Sequence, residues 1–146
     1  YDMSPGRLLG ANFEAGFSQF YDGGRASLFV QPVWKVARHL QLSGEYNLEA
    51  VRFPARNQGF NTHLVRLRTQ AALDTKISLH VFVQYNSAAD LIATNARFRY
   101  NLHEGNDLWV VYNENLNAER ERNELKLPRT NGRTVLLKYT HTFTRM

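Results

Sequence analysis

Between Leu79 and Asn113 the chain changes sides with nearly every residue. Leu79, Val81, Val83 and Tyr85 take the odd places and His80, Gln84 and Asn86 the even ones, with Phe82 the exception. A period of two describes a strand with one apolar and one wet face. Ser87-Ala88-Ala89-Asp90 interrupts the pattern, which resumes with Ile92, Ala96, Phe98 and Tyr100 on one side and Asn95, Arg97, Arg99 and Asn101 on the other. Two arginines thus stand where a soluble β-sandwich would place its core. The turn His103-Glu104-Gly105-Asn106-Asp107 leads into a strand over Leu108–Asn113, and three antiparallel strands in succession form a meander.

The same alternation predicts strands over Leu8–Phe20, Arg25–Val36, Leu40–Phe53, Thr62–Leu73 and Thr134–Phe143. On the first, Leu9, Ala11, Phe13, Ala15 and Phe17 oppose Asn12, Glu14 and Ser18. Leu28, Val30, Pro32, Trp34 and Val36 oppose Ser27, Gln31 and Lys35 on the second, where Pro32, lacking a ladder donor, is expected near a strand end. The third sets Leu40, Leu42, Tyr46 and Leu48 against Gln41, Ser43, Glu45, Asn47 and Glu49, and the fourth Val65, Leu67, Ala71 and Leu73 against Arg66, Arg68 and Gln70. Val135, Leu137, Tyr139, His141 and Phe143 oppose Lys138, Thr140 and Thr142 on the last. Asp22-Gly23-Gly24 is expected to turn the chain through positive φ at glycine.

The expected fold is therefore all-β, an antiparallel up-and-down meander of about eight strands. Their lengths, about ten residues or more, exceed the roughly five or six usual in soluble sheets and match the roughly 9 to 11 that cross a bilayer at a tilt. Connections near 37–39, 74–76 and 102–107 are expected to be compact, and those near 54–61, 86–91 and 115–133 longer, with Asp22–Gly24 short. Short periplasmic turns and longer outer loops are the habit of transmembrane barrels. In that frame Phe17, Tyr85 and Tyr112 fall at outer strand ends and Trp34, Tyr100 and Phe143 at periplasmic ends, as two aromatic girdles, with Phe13 and Tyr46 mid-strand exceptions. The opposite face carries Glu14, Glu45, Glu49, Arg66, Arg68, Arg97, Arg99 and Lys138, a set expected to pair across a lumen, because buried charges need partners or water. A soluble lipocalin-like barrel binding a small ligand is the alternative, with the two faces exchanged.

Composition narrows this little. The 146 residues suit one domain over 1–146, with 43% hydrophobic and 21% charged residues. No run approaches the roughly 18 apolar residues of a spanning helix, which excludes a helical membrane protein but not a barrel, whose signal is split between two faces. Without cysteine there are no disulfides and no cysteine metal sites, and the compartment stays open. No signal peptide precedes Tyr1, so a mature form or a fragment is expected, and YDMSPGR reads as the end of a loop.

Chemistry-bearing motifs are missing: no GxSxG elbow, P-loop, HExxH or dinucleotide fingerprint occurs. No catalytic residue, cofactor or metal site is expected. His63 and His141 fall on the apolar face, where a barrel hydrolase would pair a histidine with a serine; no serine is fixed beside either, so interfacial packing is preferred. His80 is expected to form hydrogen bonds in the lumen. The loop ENLNAERERNELKLPRTNGR reads as a solvated loop rather than a Ca²⁺ site. The net charge of +5 does not argue for nucleic acid, since the arginines are dispersed with carboxylates near and no stacking platform lies in register. Loop residues Arg56, Arg129 and Arg133 suit anionic lipopolysaccharide instead.

The segment VFVQYNSAADLIATNARFRYNLHEGNDLWVVYNE resembles the C-terminal region of a family of uncharacterised bacterial outer-membrane β-barrel domains, which commonly follow a family-9-type carbohydrate-binding module. The likeness extends to FYDGGRASLFVQPVWKV, LQLSGEYNLEAVRF, HLVRLRTQAALDTKIS and VLLKYTHTF, with QYNS and GNDLWVVYNE its most specific parts. It implies a bacterial outer-membrane location, contact with outer-membrane lipid and lipopolysaccharide, recognition by the barrel-assembly machinery, and a link to carbohydrate binding or uptake. No sugar-binding residue carries over, because the binding module is not in this sequence. The ending departs from the family: an aromatic residue usually comes last, whereas Thr144-Arg145-Met146 follow Phe143. The expected role is that of a passive membrane anchor, pore or binding barrel, either whole or as the C-terminal strands of a larger one. An outer-membrane hydrolase acting on lipid or sugar is the rival.

Overall fold

A computed structural model describes residues 8–119 and 126–143. The YDMSPGR segment, the centre of the charged loop and Thr144-Arg145-Met146 lie outside the described residues. Eight strands follow one another: β1 (Leu9–Phe20), β2 (Gly23–Ala37), β3 (Leu40–Phe53), β4 (Gln58–Ala72), β5 (Ile77–Asn86), β6 (Leu91–His103), β7 (Asn106–Asn117) and β8 (Thr130–His141). A single 3₁₀ turn, Pro54–Arg56, joins β3 to β4. No helix among the described residues is long and apolar enough to cross a membrane.

All eight strands lie in one antiparallel sheet in the order of the chain. Each pairs only with its sequence neighbours, so β1 and β8 form two separate edges and the sheet is open. Registers keep the two faces distinct from one edge to the other. One cross-strand row runs Phe13, Val30, Tyr46, Val65, Tyr85, Ile92 and Leu116. A second runs Ala71, Leu79, Phe98, Val110 and Leu137. On the other face the row is Gln41, Gln70, His80, Arg97, Val111 and Leu136. Because strand side chains have period two, a one-residue slip would mix these sets, and the shifts that occur, at Lys35/Ala37, Asn101/His103 and Asn115/Leu116, lie near the ends of their ladders.

Among the described residues this sheet has no second layer. Val51, 3% exposed, is the one buried hydrophobic residue among those described, while Phe17, Leu67, Leu137 and Tyr139 stand open on the apolar face. The accessible surface is 11162 Å². A folded monomer of 16.9 kDa would expose about 7,700 Å². The two faces and two free edges of the open sheet contribute to this excess.

Several local expectations change. The first turn is Tyr21–Asp22, with the positive φ, 53°, on Tyr21, and Gly23 and Gly24 already belong to β2. Space, not φ, selects glycine at 23: a Cβ there would run into the Arg52 carbonyl oxygen and approach the Phe53 ring to 2.7 Å. Pro32 lies inside β2 rather than near its end. Its missing N–H coincides with a gap in the β2–β3 ladder between the pairs Val30–Tyr46 and Val33–Ser43. Gly44 opposite leaves room for the ring, since a Cβ there would come within 3.2 Å of Pro32 Cγ. The connections expected to be long near 54–61 and 86–91 shrink, because β4 already begins at Gln58 and β6 at Leu91. Only the connection between Asn117 and Thr130 is still long in sequence, so loop length no longer separates the two ends of the sheet clearly. The last strand covers Thr130–His141, not Thr134–Phe143.

Candidate functional site

The polar face is the hollowed one. One depression, of about 610 Å³, is lined by Arg68, Gln70, His80, Val81, Phe82, Asn95, Arg97 and Trp109. Glu14, Ser27, Phe29, Asn47 and Glu49 surround a second. Gln31, Ser43, Glu45 and Arg66 border a third, next to Arg68 and Phe82. Alternation puts these side chains on one face, and the registers of neighbouring strands bring them together.

Only part of the expected charge network forms. Arg66 on β4 donates from Nη1 to Glu45 on β3 at 2.5 Å and from Nε to Gln84 on β5 at 2.9 Å, tying three strands. Arg99 donates from Nε to Asp107 Oδ1 at 2.8 Å, and Asn101 donates to the same oxygen at 2.9 Å. Arg25 and Glu49 form a bidentate pair, with Nη2 to Oε1 at 2.6 Å. Such forked contacts are the stronger kind of ion pair. Arg25 and Asp107 were not among the expected residues, because each lies at the start of its strand, where alternation gives least guidance.

Glu14, Arg68, Arg97 and Lys138 make no ion pair among the described residues. Within the open sheet, pairing thus covers Glu45, Glu49, Arg66 and Arg99 of the expected set. Arg97 sits opposite His80 and Val111, neither of which offers a carboxylate. Arg68 instead lies over the Phe82 ring, 5.6 Å from its centroid. Glu14 and Lys138 stand on the two outermost strands of the open sheet. Phe82 and Trp109, which break the polar pattern, turn out to face the same depression as the arginines, and Arg99 lies 5.5 Å from the Trp109 centroid. Cation–π contacts of this type orient a guanidinium plane.

The aromatics expected at strand ends divide. Phe17 and Tyr85 lie towards the β1–β2 and β5–β6 turns, Trp34 and Tyr100 towards the opposite end, and Phe143 just past β8. Tyr112 is central in β7, where its hydroxyl donates to Glu114 at 2.6 Å. Glu114 also accepts from Arg133 at 2.5 Å.

Neither apolar-face histidine forms a nucleophile pair. The His63 imidazole is engaged through Nδ1 with the Tyr46 hydroxyl at 2.9 Å. Ser87 is near, but its Oγ accepts from the His63 main-chain N–H at 2.7 Å, leaving ring and hydroxyl uncoupled. His141 contacts Asn106 through Nδ1 and meets the Phe143 ring edge-on at 4.4 Å. No group of three metal-ligating side chains occurs among the described residues.

Beyond the strands, Arg56 reaches back from the β3–β4 turn to Asp22, with Nη2 to Oδ1 at 2.5 Å and Nε to Oδ2 at 3.0 Å, and lies 5.0 Å from the Phe53 ring centroid. The guanidinium hydrogen bond holds the Asp22 carboxyl below its ordinary value. A depressed folded-state pKa contributes stability above the unfolded value, and that contribution is lost as pH falls through the folded one. Replacing Arg56 by Leu should return the Asp22 titration, followed by side-chain carboxyl NMR, to the ordinary range near 3.8. A midpoint unmoved by Arg56→Leu would mean the pair does not persist in solution.

The chain matches no protein-family model, no curated protein and no solved structure.

Proposed function

We propose that this sheet is a wall of a transmembrane β-barrel in a bacterial outer membrane, apolar face to lipid and polar face to an aqueous lumen. One observation carries the reading: an apolar face kept in register across eight strands with nothing packed on it. In water so large an apolar patch would be a liability, whereas hydrocarbon covers it at no cost. The hollowed polar face favours this over a lipocalin-like barrel, whose concave side is the apolar one. It also agrees with the resemblance to outer-membrane barrel domains. The proposed role is passive, as an anchor or a path for solutes.

Open edges set the remaining choice. Within hydrocarbon every ladder must be satisfied, so β1 and β8 pair either with each other or with further strands. Eight strands closed on themselves would be filled by side chains, and more strands would leave a channel. Cysteines replacing Phe13 and Tyr139, or facing neighbours, separate these cases in isolated outer membranes of cells making the full-length protein. Crosslinking within one chain gives the small filled barrel; no crosslink, with both thiols protected from a membrane-impermeant maleimide, gives the larger one. Thiols that remain uncrosslinked and react freely with that maleimide contradict the membrane wall.

A further inference from the structure

We infer that the depression between β4 and β7 is a binding site for small oxyanions, carboxylates or phosphates, and gives the polar face a preference for anions over cations. The inference rests on the lumen reading for its physiological setting, while the site itself is defined by its side chains. Arg68 and Arg97 project into the depression from β4 and β6, on either side of β5. Neither is neutralised by a carboxylate among the described residues, whereas Arg66 and Arg99 beside them are. No acidic residue lines this depression. Two unspent guanidiniums in one concavity create a positive potential, and each offers the forked donor geometry that suits a carboxylate or phosphate.

Neighbouring groups add to this rather than oppose it. His80, directly opposite Arg97, supplies a further polar group, and Asn95, two residues before Arg97, already donates from Nδ2 to Asn113 and keeps one amide N–H to spare. Phe82 under Arg68 fixes the plane of that guanidinium, so less freedom is lost when an anion docks. Trp109 forms part of the wall, which places a natural reporter in the site. A volume of about 610 Å³ falls within the range of small-molecule sites, roughly 300–1,000 Å³.

The test is quenching of Trp109 emission in the full-length protein in detergent micelles, taken as the component that disappears in Trp109→Phe. With each ion normalised to its quenching of free N-acetyltryptophanamide, iodide should quench it several-fold more strongly than caesium at equal ionic strength. Succinate or inorganic phosphate should protect it from iodide, and the relative midpoints of the two tell a carboxylate site from a phosphate site. Arg97→Gln, and independently Arg68→Gln, should weaken protection about tenfold, with strand content by circular dichroism unchanged. Arg97→Lys should restore the iodide preference but only part of the protection, since it keeps charge without the fork. Equal quenching by iodide and caesium overturns the proposal, as does absence of protection or protection indifferent to both glutamine variants. Spin labels at Leu79 and Val81 separate this outcome from failure of the membrane reading, because they report lipid or water whatever happens at Trp109.

Discussion

Leu28→Arg should destabilise the full-length protein in lipid vesicles by about 2–4 kcal/mol, whereas Ser27→Arg, one residue away, should change its stability by no more than about 0.5 kcal/mol. Leu28 lies mid-strand on β2, opposite Ala15 and Leu48, on the apolar face. If that face meets lipid, as proposed, an arginine there must hold its charge in hydrocarbon or drag water to it. Ser27 faces the other way, between Gly16 and Glu49 and beside the depression that holds Glu14, so an added cation meets water and carboxylates. Urea titration of folding into vesicles reads both variants. Similar losses for the two would mean that both faces of β2 share one environment, which no membrane wall allows.

Arg66→Leu is expected to cost about 1.5–3 kcal/mol in the same titration, the range for hydrogen bonds to charged groups. The substitution removes donors to Glu45 and to Gln84 and leaves the Glu45 carboxylate, 20% exposed, without its cation. Arg97→Leu should cost less than about 0.5 kcal/mol, since no ion pair is lost. From the sequence alone Arg97 belongs to the set of lumen charges expected to pair; its register opposite His80 and Val111 offers it no carboxylate. Combining Arg66→Leu with Glu45→Gln should cost less than the sum of the single changes. Strict additivity would show the pair to be energetically idle, and an Arg97→Leu loss as large as that of Arg66→Leu would contradict the pairing scheme.

These contrasts mark where the sequence is legible. β3 runs over Leu40–Phe53 as alternation predicts, because its pattern is unbroken and both neighbours read it in register. β4 begins earlier than expected, at Gln58, since Gln58-Gly59-Phe60-Asn61 has the composition of a loop. Gly59 nevertheless pairs with Arg52, so closely that a Cβ would lie 2.8 Å from the Val51 carbonyl oxygen. Asn131-Gly132 misleads in the same way: the dipeptide is a turn signal, yet Gly132 pairs with Asn115 inside β8. Glycine and asparagine mark both turns and crowded ladders, and only the partner strand tells which applies.

Faces were legible; partners were not. Alternation assigns Arg66, Arg68, Arg97 and Arg99 to one side without saying which meets a carboxylate. That depends on register, and register depends on turn lengths, several of which are shorter than the expected ones by four residues or more. Asp107 shows the effect: it reads as part of a turn, but β7 already begins at Asn106, and this places its carboxylate against Arg99. Phe82 and Trp109 interrupt the polar pattern for a reason visible only in the folded sheet, where both face the depression between the arginines.

The most direct measurement is electron paramagnetic resonance of single spin labels at Leu28, Val30, Leu79, Val81 and Val83, with labels at Ser43 and His80 for the opposite face, in the full-length protein reconstituted in lipid bilayers. The apolar-face labels should collide more with dissolved oxygen than with a water-soluble nickel chelate, and the order should invert at Ser43 and His80. Access of the chelate to all five apolar-face labels would contradict a lipid-facing sheet.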